Sequence, residues 1–257
     1  MTNTLNVSTE SNVATVELNR PDAYNTLSLE MLDRLPIVLS DLAQDDNIRC
    51  VVLTGSGDKA FCAGGDISGL SGDGAIGNSA KLSQQVEAWA QASLILHEMP
   101  KPTLASINGV AAGAGMSLAL ACDLRIASGN AYFKTAFANM AMSGDFGGSY
   151  FLTQLVGPSK ARELYFLSER IDADNALAMN LVNWLAPHDE LKTRTVQMAQ
   201  RLAAMPLLTW RNMKQNLNIA LTQDLASVLH QEAIGMIETA MSEETRAAAM
   251  RFFSKEE

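Results

Sequence analysis

Two short, almost uninterrupted apolar runs limit the fold of this chain more than any other feature. Residues 48–54 read Ile-Arg-Cys-Val-Val-Leu-Thr, and residues 103–107 read Thr-Leu-Ala-Ser-Ile. Runs of this length are typical of strands buried on both faces, as in parallel sheets covered by helices. A glycine-rich stretch and then a helical pattern follow each run, and Val13–Leu18 predicts a further strand before them. The sequence therefore predicts an α/β fold.

The chain changes character after Gly147, where helical patterns follow one another almost continuously. Their approximate bounds are 147–155, 160–168, 173–179, 190–204, 207–220 and 224 to the end. Strand–helix alternation followed by a run of helices predicts an α/β core with a C-terminal helical region. We place the core, with its ligand site, at residues 1–190 and the helical region at residues 191–257.

Composition and charge exclude several functional classes. Of the 257 residues 47% are hydrophobic, and the formal net charge of −9 argues against nucleic acid or an anionic membrane as the main partner. No apolar run approaches the roughly 20 residues of a membrane span, and no secretory signal is visible. The three cysteines lack metal-ligand spacing and are expected to be reduced thiols. We expect a soluble cytoplasmic protein without a metal site.

Two turns of small residues follow apolar strands and lead into helix-like sequence. They are Phe61–Asp66, FCAGGD, and Val110–Gly115, VAAGAG. Small residues allow a ligand to approach the backbone, and two such turns that converge would offer two N–H groups to one oxyanion. The alternative is that each turn only permits close strand–helix packing. Phosphate-binding glycine motifs are absent from both stretches.

Asp145 lies in the stretch SGDFGGSYF, residues 143–151, just before a predicted helix. Aspartate is a favoured helix N-cap, which is the simpler interpretation. The other interpretation is a general acid/base in an apolar pocket, where burial would raise its pKa. Met140 and Met142 nearby are either core residues or the wall of an adaptable pocket.

Four stretches together resemble the crotonase (enoyl-CoA hydratase/isomerase) superfamily: NRPDAYNTLS, GSGDKAFCAGGDI, KPTLASINGVAAGAGMSLALACDLRIAS and VGPSKARELYFLSERIDADNALAMNLVN. The resemblance implies a spiral of ββα units with C-terminal helices that assemble a trimer or hexamer, and an acyl-CoA substrate. It implies oxyanion-hole amides at Gly65 and Ala114. It also implies coenzyme A contacts at Ala23, Tyr24, Ala63, Asp66, Ile67 and Lys255, with coenzyme A entering as part of the thioester and no permanently bound cofactor.

The resemblance also bears on the reaction. Hydratases of this family use two glutamates, and the matching positions here hold Ser117 and Phe137. Asp145 resembles the single catalytic carboxylate of the enoyl-CoA isomerase branch, which implies a double-bond shift through an enolate. Three alternatives stay open: a 2-enoyl-CoA hydratase, a dehalogenase- or thioesterase-like enzyme with Asp145 as nucleophile, and a catalytically silent acyl-CoA-binding protein.

Overall fold

Two sheets form the centre of the structure, which is a computed structural model describing residues 3–66 and 79–253. The larger sheet has the spatial order β1 (Leu5–Glu10), β2 (Val13–Leu18), β3 (Cys50–Gly55), β5 (Thr103–Ile107), β7 (Leu124–Ser128), β10 (Trp184–Ala186). The smaller sheet has the order β4 (Ala60–Cys62), β6 (Val110–Ala112), β8 (Tyr132–Lys134), β9 (Ile171–Asp172). Pairing is parallel except between β1 and β2 and between β8 and β9.

The helices surround these sheets. In the described residues they are α1 (Leu29–Gln44), α2 (Ser79–Glu98), α3 (Ala114–Ala121), α4 (Gly148–Leu167), α5 (Ala173–Ala178), α6 (Leu191–Ala203), α7 (Leu207–Ile219), α8 (Leu225–Ala240) and α9 (Glu243–Phe253). None of them is long and apolar enough to cross a membrane.

The chain repeats one supersecondary unit. β3, β5 and β7 each enter the larger sheet, and the strand that follows each of them enters the smaller sheet before the chain continues into a helix. Parallel neighbours in both sheets result because every repeat runs in the same direction. This succession confirms the predicted spiral of ββα units.

Each face of the larger sheet carries its own apolar cluster. On one face Leu53 and Ile107 pack with buried residues of α1, α3 and α4, including Leu35 and Leu118. On the other face Val52, Leu104 and Ile126 pack against Leu191 and Leu202 of α6. The long apolar runs in the sequence correspond to β3 and β5, which are covered on both sides as predicted. The division of the chain at residue 190 stays a prediction.

The sequence prediction was wrong in four places. β1 was missed, because only Leu5 of this polar edge strand is buried. β9 and β10 were also missed, and they lie in the gaps between the predicted helical segments 160–168, 173–179 and 190–204. The single helix predicted from residue 224 is two helices, and Ser242 Oγ accepts a hydrogen bond of 3.2 Å from the N–H of Thr245 at the start of the second.

Candidate active site

The two small-residue turns lie side by side, because β4 and β6 are parallel neighbours and each turn follows its strand. A Cβ atom built on Gly64 would lie 3.9 Å from the backbone nitrogen of Ala114. Ala114 is the first residue of α3, so its N–H has no acceptor within the helix. Neither its N–H nor that of Gly65 donates a backbone hydrogen bond among the described residues. The two turns are therefore close neighbours, and both of these N–H groups lack a backbone acceptor in the described chain.

Glycine is required at this junction for two reasons. Gly113 precedes α3 with φ 52° and ψ −129°, a conformation that side chains with a Cβ rarely adopt. A Cβ on Gly115 would overlap the carbonyl oxygen of Cys62 and lie 2.6 Å from its Cβ. The first turn of α3 thus packs directly on the backbone of β4. The packing interpretation of the glycines and the ligand interpretation are both compatible with this geometry.

Buried asparagines hold the segment before α1 next to the first turn. Asn25 is fully buried and its side-chain amide donates to the carbonyl oxygens of Ser56 (2.9 Å) and Ala60 (2.7 Å). Asn108 donates to the same Ala60 oxygen at 3.0 Å. The backbone N–H of Ala63 donates to the oxygen of Tyr24 at 3.0 Å. These bonds fix residues 23–27 against residues 63–66.

Four of the six residues predicted to contact coenzyme A are therefore close together: Ala23, Tyr24, Ala63 and Asp66. Tyr24 is 48% exposed, and Asp66 forms an ion pair of 2.9 Å with Arg20. Arg20 also donates to Thr26, so the guanidinium is held at this edge. Sequence reasoning did not single out Arg20. Ile67 and Lys255 lie outside the described residues.

Asp145 is not the N-cap of α4. The cap is Gly147, and the start of the helix has no side-chain cap hydrogen bond. Oδ1 of Asp145 is buried and has no hydrogen-bond partner among the described residues. Burial raises the pKa of the Asp145 carboxyl to about 6, since desolvation disfavours the charged form. The interpretation of Asp145 as a helix N-cap is therefore wrong. Its raised pKa is compatible with the other interpretation, a general acid/base.

Tyr165 lies beside Asp145 and was missed in the sequence. Its pKa is raised to about 12, first by burial and then by the charge of Asp145. A Cβ on Gly144 would lie 3.1 Å from Cε1 of this ring, so the loop that carries Asp145 passes directly over Tyr165. The ring is stacked on Phe137 with centroids 6.1 Å apart. No hydrogen bond of the Tyr165 hydroxyl forms within the described chain.

Phe137 and Ser117 link Asp145 to the oxyanion turn. Phe137 is 9% exposed, and a Cβ on Gly113 would lie 3.9 Å from its ring. Ser117 is 2% exposed, lies in the first turn of α3 and donates to the oxygen of Gly113 at 3.3 Å. The predicted catalytic residues Gly65, Ala114 and Asp145 thus border one region, with the Phe137 ring between the turn and Tyr165. Met140 and Met142 are 48% and 42% exposed, which excludes them from the core.

Three other potentially reactive side chains, those of Cys62, Asp123 and His188, have environments typical of structural residues. Burial raises the pKa of the Cys62 thiol to about 12, so it stays protonated at neutral pH. Asp123 accepts from the backbone N–H of Thr103 (2.8 Å) and from Lys214 Nζ (2.8 Å), as expected of a structural residue. His188 bonds to Ser128 Oγ at 3.0 Å, a partner that sequence reasoning missed, but Ser128 is fully buried.

A separate cavity of about 490 Å³ lies between α3, α4 and α7. Its wall includes His97, Asp123, Lys214 and exposed apolar residues of α7 such as Met213 and Leu217. None of the predicted catalytic or coenzyme A residues lines it. The cavity is therefore separate from the region around Asp145.

The sequence profile of the enoyl-CoA hydratase/isomerase family matches residues 8–257. The chain belongs to this family. Among its relatives, the 1,2-epoxyphenylacetyl-CoA isomerase of Escherichia coli K12 is 36% identical over 225 residues, covering 87% of this chain and 85% of the relative. The short-chain-enoyl-CoA hydratase of Clostridium acetobutylicum is 32% identical over 254 residues, covering 96% and 93%.

Solved structures of the family have the same architecture. The crystal structure of an enoyl-CoA hydratase from Bacillus anthracis superposes with a TM-score of 0.92 at 29% identity, covering 98% of this chain and 97% of that one. This likeness confirms the predicted crotonase fold. Since the relatives include both hydratases and an isomerase, family membership establishes an enoyl-CoA hydratase/isomerase-type enzyme without specifying its reaction.

Proposed function

We propose that this protein is an enoyl-CoA isomerase in which Asp145 is the only acid/base. The observation that carries the proposal is the Asp145 carboxyl, which is partly buried, lacks a hydrogen-bond partner at Oδ1 and has a pKa of about 6. A base with a pKa near the operating pH combines adequate strength with the correct protonation state. The positions of the two hydratase glutamates hold Ser117 and Phe137, so neither position supplies a carboxylate for hydration.

In the proposed reaction the thioester oxygen accepts hydrogen bonds from the N–H groups of Gly65 and Ala114. Asp145 removes a proton from acyl carbon 2 of a 3-enoyl-CoA, and the negative charge that results is delocalised onto the thioester oxygen. Two fixed backbone donors stabilise such an enolate without reorganisation. Asp145 then returns the proton to carbon 4, which leaves the double bond between carbons 2 and 3. No atom is gained or lost.

Coenzyme A is proposed to lie along Ala23, Tyr24, Ala63 and Asp66, with Ile67 and Lys255 as further contacts. The support is that the first four residues adjoin the Gly65 turn, and that a Cβ on Gly65 would meet no described atom within 4 Å. The position that a side chain of residue 65 would occupy is thus free of described atoms.

The direct test is Asp145→Asn, assayed on a 3-enoyl-CoA. The substitution keeps the size of the side chain but removes the base, so isomerisation should fall by about two to four powers of ten. Asp174→Asn, which changes an exposed aspartate of α5, should leave the rate unchanged. Retention of full activity by Asp145→Asn would exclude the mechanism.

Product analysis separates the other candidate reactions. A hydratase would convert a 2-enoyl-CoA to the 3-hydroxyacyl thioester faster than it isomerises a 3-enoyl-CoA. An enzyme with a nucleophilic aspartate would form a covalent adduct on Asp145 that mass spectrometry of the intact protein detects. A silent acyl-CoA-binding protein would bind these thioesters and convert none of them.

We also propose a homotrimer or a hexamer. Exposed apolar side chains are concentrated on the later helices, where Leu225, Met236, Ile237 and Met241 are each more than 60% exposed. Such a surface is more apolar than that of a typical monomer, which favours burial between copies of the chain.

A further inference from the structure

A short parallel bridge to Leu27 holds the segment that carries Gly65. The N–H of Leu27 donates to Gly64 O at 2.8 Å, and the N–H of Asp66 donates to Leu27 O at 3.0 Å. In a bridge of this kind the N–H of the middle residue, here Gly65, points away from the partner strand. The bridge to Leu27 therefore sets the direction of the Gly65 N–H.

The segment has little conformational restraint of its own. Gly64 has φ 104°, and Gly65 is exposed, with no described atom near the position of a Cβ. Glycine loses more backbone freedom on being fixed than any other residue, so an amide on two successive glycines has to be held by its neighbours. A misplacement of about 1 Å can cost a reaction on the order of a hundredfold in rate.

The Arg20 guanidinium joins the two sides of the bridge. Nη1 donates to Thr26 O at 2.8 Å and to Thr26 Oγ1 at 3.1 Å, and Nη2 donates to Asp66 Oδ2 at 2.9 Å. Thr26 directly precedes the bridge on one segment, and Asp66 directly follows it on the other. The planar fork of arginine can hold both flanks at once, whereas the single ammonium of lysine is a point charge.

The backbone of Arg20 is itself fixed. Its N–H donates to Asn25 Oδ1 at 2.9 Å, and its carbonyl oxygen accepts from the N–H of Asn25 at 2.9 Å. Asn25 is fully buried and donates to the oxygen of Ala60, the first residue of β4. The guanidinium thus extends from an anchored backbone to the segment that carries Gly65.

We propose that Arg20 is a positioning residue for the reaction, because its guanidinium holds the Gly65 N–H in the direction in which it stabilises the enolate. Arg20 acts through Thr26 and Asp66 and adds no chemical step. The proposal rests on the proposed function for the role of the Gly65 amide.

Steady-state kinetics on a 3-enoyl-CoA separate positioning from binding. Arg20→Met removes the fork and should lower kcat by about ten- to a hundredfold, with KM changed by less than about threefold, because a displaced donor is missed mainly in the transition state. Arg20→Lys keeps the charge but cannot hold both flanks, so it should restore little of the lost rate. Arg194→Met removes an exposed arginine that is also ion-paired, 2.7 Å from Glu190, and should leave kcat unchanged.

A second measurement needs no turnover. The acyl group of acetoacetyl-CoA ionises to an enolate whose ultraviolet absorption differs from that of the keto form, and hydrogen bonds to the thioester oxygen favour the enolate. At a fixed pH, the enolate-to-keto ratio of the bound ligand should fall about tenfold in Arg20→Met. The ratio should stay constant in Arg194→Met.

The partner of Arg20 provides an independent variant. Asp66→Asn removes the charge that Nη2 bonds, so it should also lower kcat and the enolate ratio. Since both changes break one contact, the double variant should lose no more kcat than the more affected single variant. The two side chains are 25% and 29% exposed, and ion pairs near the surface contribute little to stability. Circular dichroism should therefore show that every variant is folded.

Each outcome has a distinct meaning. The proposal is overturned if kcat and the enolate ratio stay unchanged in Arg20→Met, or if only KM changes. Full recovery of kcat by Arg20→Lys would also overturn it, because charge alone would then explain the effect, as in attraction of the coenzyme A phosphates. A wild type that converts no 3-enoyl-CoA, but whose enolate ratio falls in Arg20→Met, would support the role of Arg20 and contradict the proposed reaction.

Discussion

The Asp145 carboxyl has an environment that should make the reaction depend on pH. Burial raises its pKa to about 6, and the proposed mechanism needs the deprotonated form. We therefore expect kcat/KM for a 3-enoyl-CoA to rise with pH up to an apparent pKa of about 6 and to level off above it. Steady-state rates between pH 4.5 and 8 measure this. A profile that is flat across pH 6 would contradict the assignment of Asp145 as the base.

The raised pKa of Asp145 should also make the stability of the folded protein depend on pH. Because the folded pKa of Asp145 is above its value in the unfolded chain, the folded state binds the proton more tightly, and the protein loses stability as pH rises from about 4 through about 6. Asparagine cannot ionise and escapes this loss. The Tm of Asp145→Asn relative to the wild type should therefore increase between pH 4.5 and pH 7.5. An N-cap aspartate, with a lowered pKa, would give the opposite trend.

Residues of the site differ in how far sequence reasoning could find them. Asp145 was a candidate because a carboxylate among small and apolar residues is unusual, and the turns at Gly65 and Ala114 were candidates from their composition. Tyr165 left no such signal, since a tyrosine in a helix is ordinary. Its importance arises from Gly144 and Gly148, 21 and 17 residues earlier in the chain, whose missing side chains make room for its ring. Such a contact exists only once α4 is folded.

At the scale of elements, the first turn of α3 and the strand β4 depend on each other. A methyl group on Gly115 would overlap the backbone of Cys62, and neither partner is a flexible side chain that can move away. We expect Gly115→Ala to lower the free energy of unfolding by about 2 kcal/mol through overpacking, and to lower kcat because the two proposed oxyanion donors no longer meet.

The control for this change is Gly129→Ala. Its Cβ would be 3.9 Å from the nearest atom, Ala186 O, which is an ordinary contact. Its effect should stay within about 0.5 kcal/mol. Denaturant unfolding and isomerase rates of both variants measure the difference. Equal stability of the two variants would mean that α3 can move away from β4 without cost.

Elements were predictable where burial and periodicity agree. β3 and β5 are covered on both faces and were found from their apolar runs. β9 and β10 are two and three residues long. They are too short to show the alternation of apolar and polar residues that indicates a strand. Each of them forms by pairing with an edge strand, β9 with β8 and β10 with β7. Such pairing depends on the tertiary structure and cannot be read from the local sequence. The spiral of ββα units came from the family resemblance and not from the residue pattern.

On the scale of the whole molecule, α8 has an inner face that packs on α7 and several apolar side chains that no described residue covers. The inner face is marked by Gly235, where a Cβ would lie 2.7 Å from Asn212 Oδ1 of α7, and by Glu238, which bonds Arg211 and Asn212. Leu229, Met236 and Ile237 are more than half exposed. These exposed side chains motivate the proposal that another copy of the chain covers this face.

The last prediction therefore concerns assembly. We expect light scattering at micromolar concentration to give the mass of three or six chains of 27.6 kDa. Ile237→Glu introduces a charge at a position that is 61% exposed in the single chain. It should cost a monomer less than about 0.5 kcal/mol but should dissociate an oligomer that buries this face. His230→Glu adds a charge at an exposed position of the same helix and tests whether added charge alone has this effect. A wild-type mass of one chain, or an oligomer that withstands Ile237→Glu, would show that α8 does not form the interface.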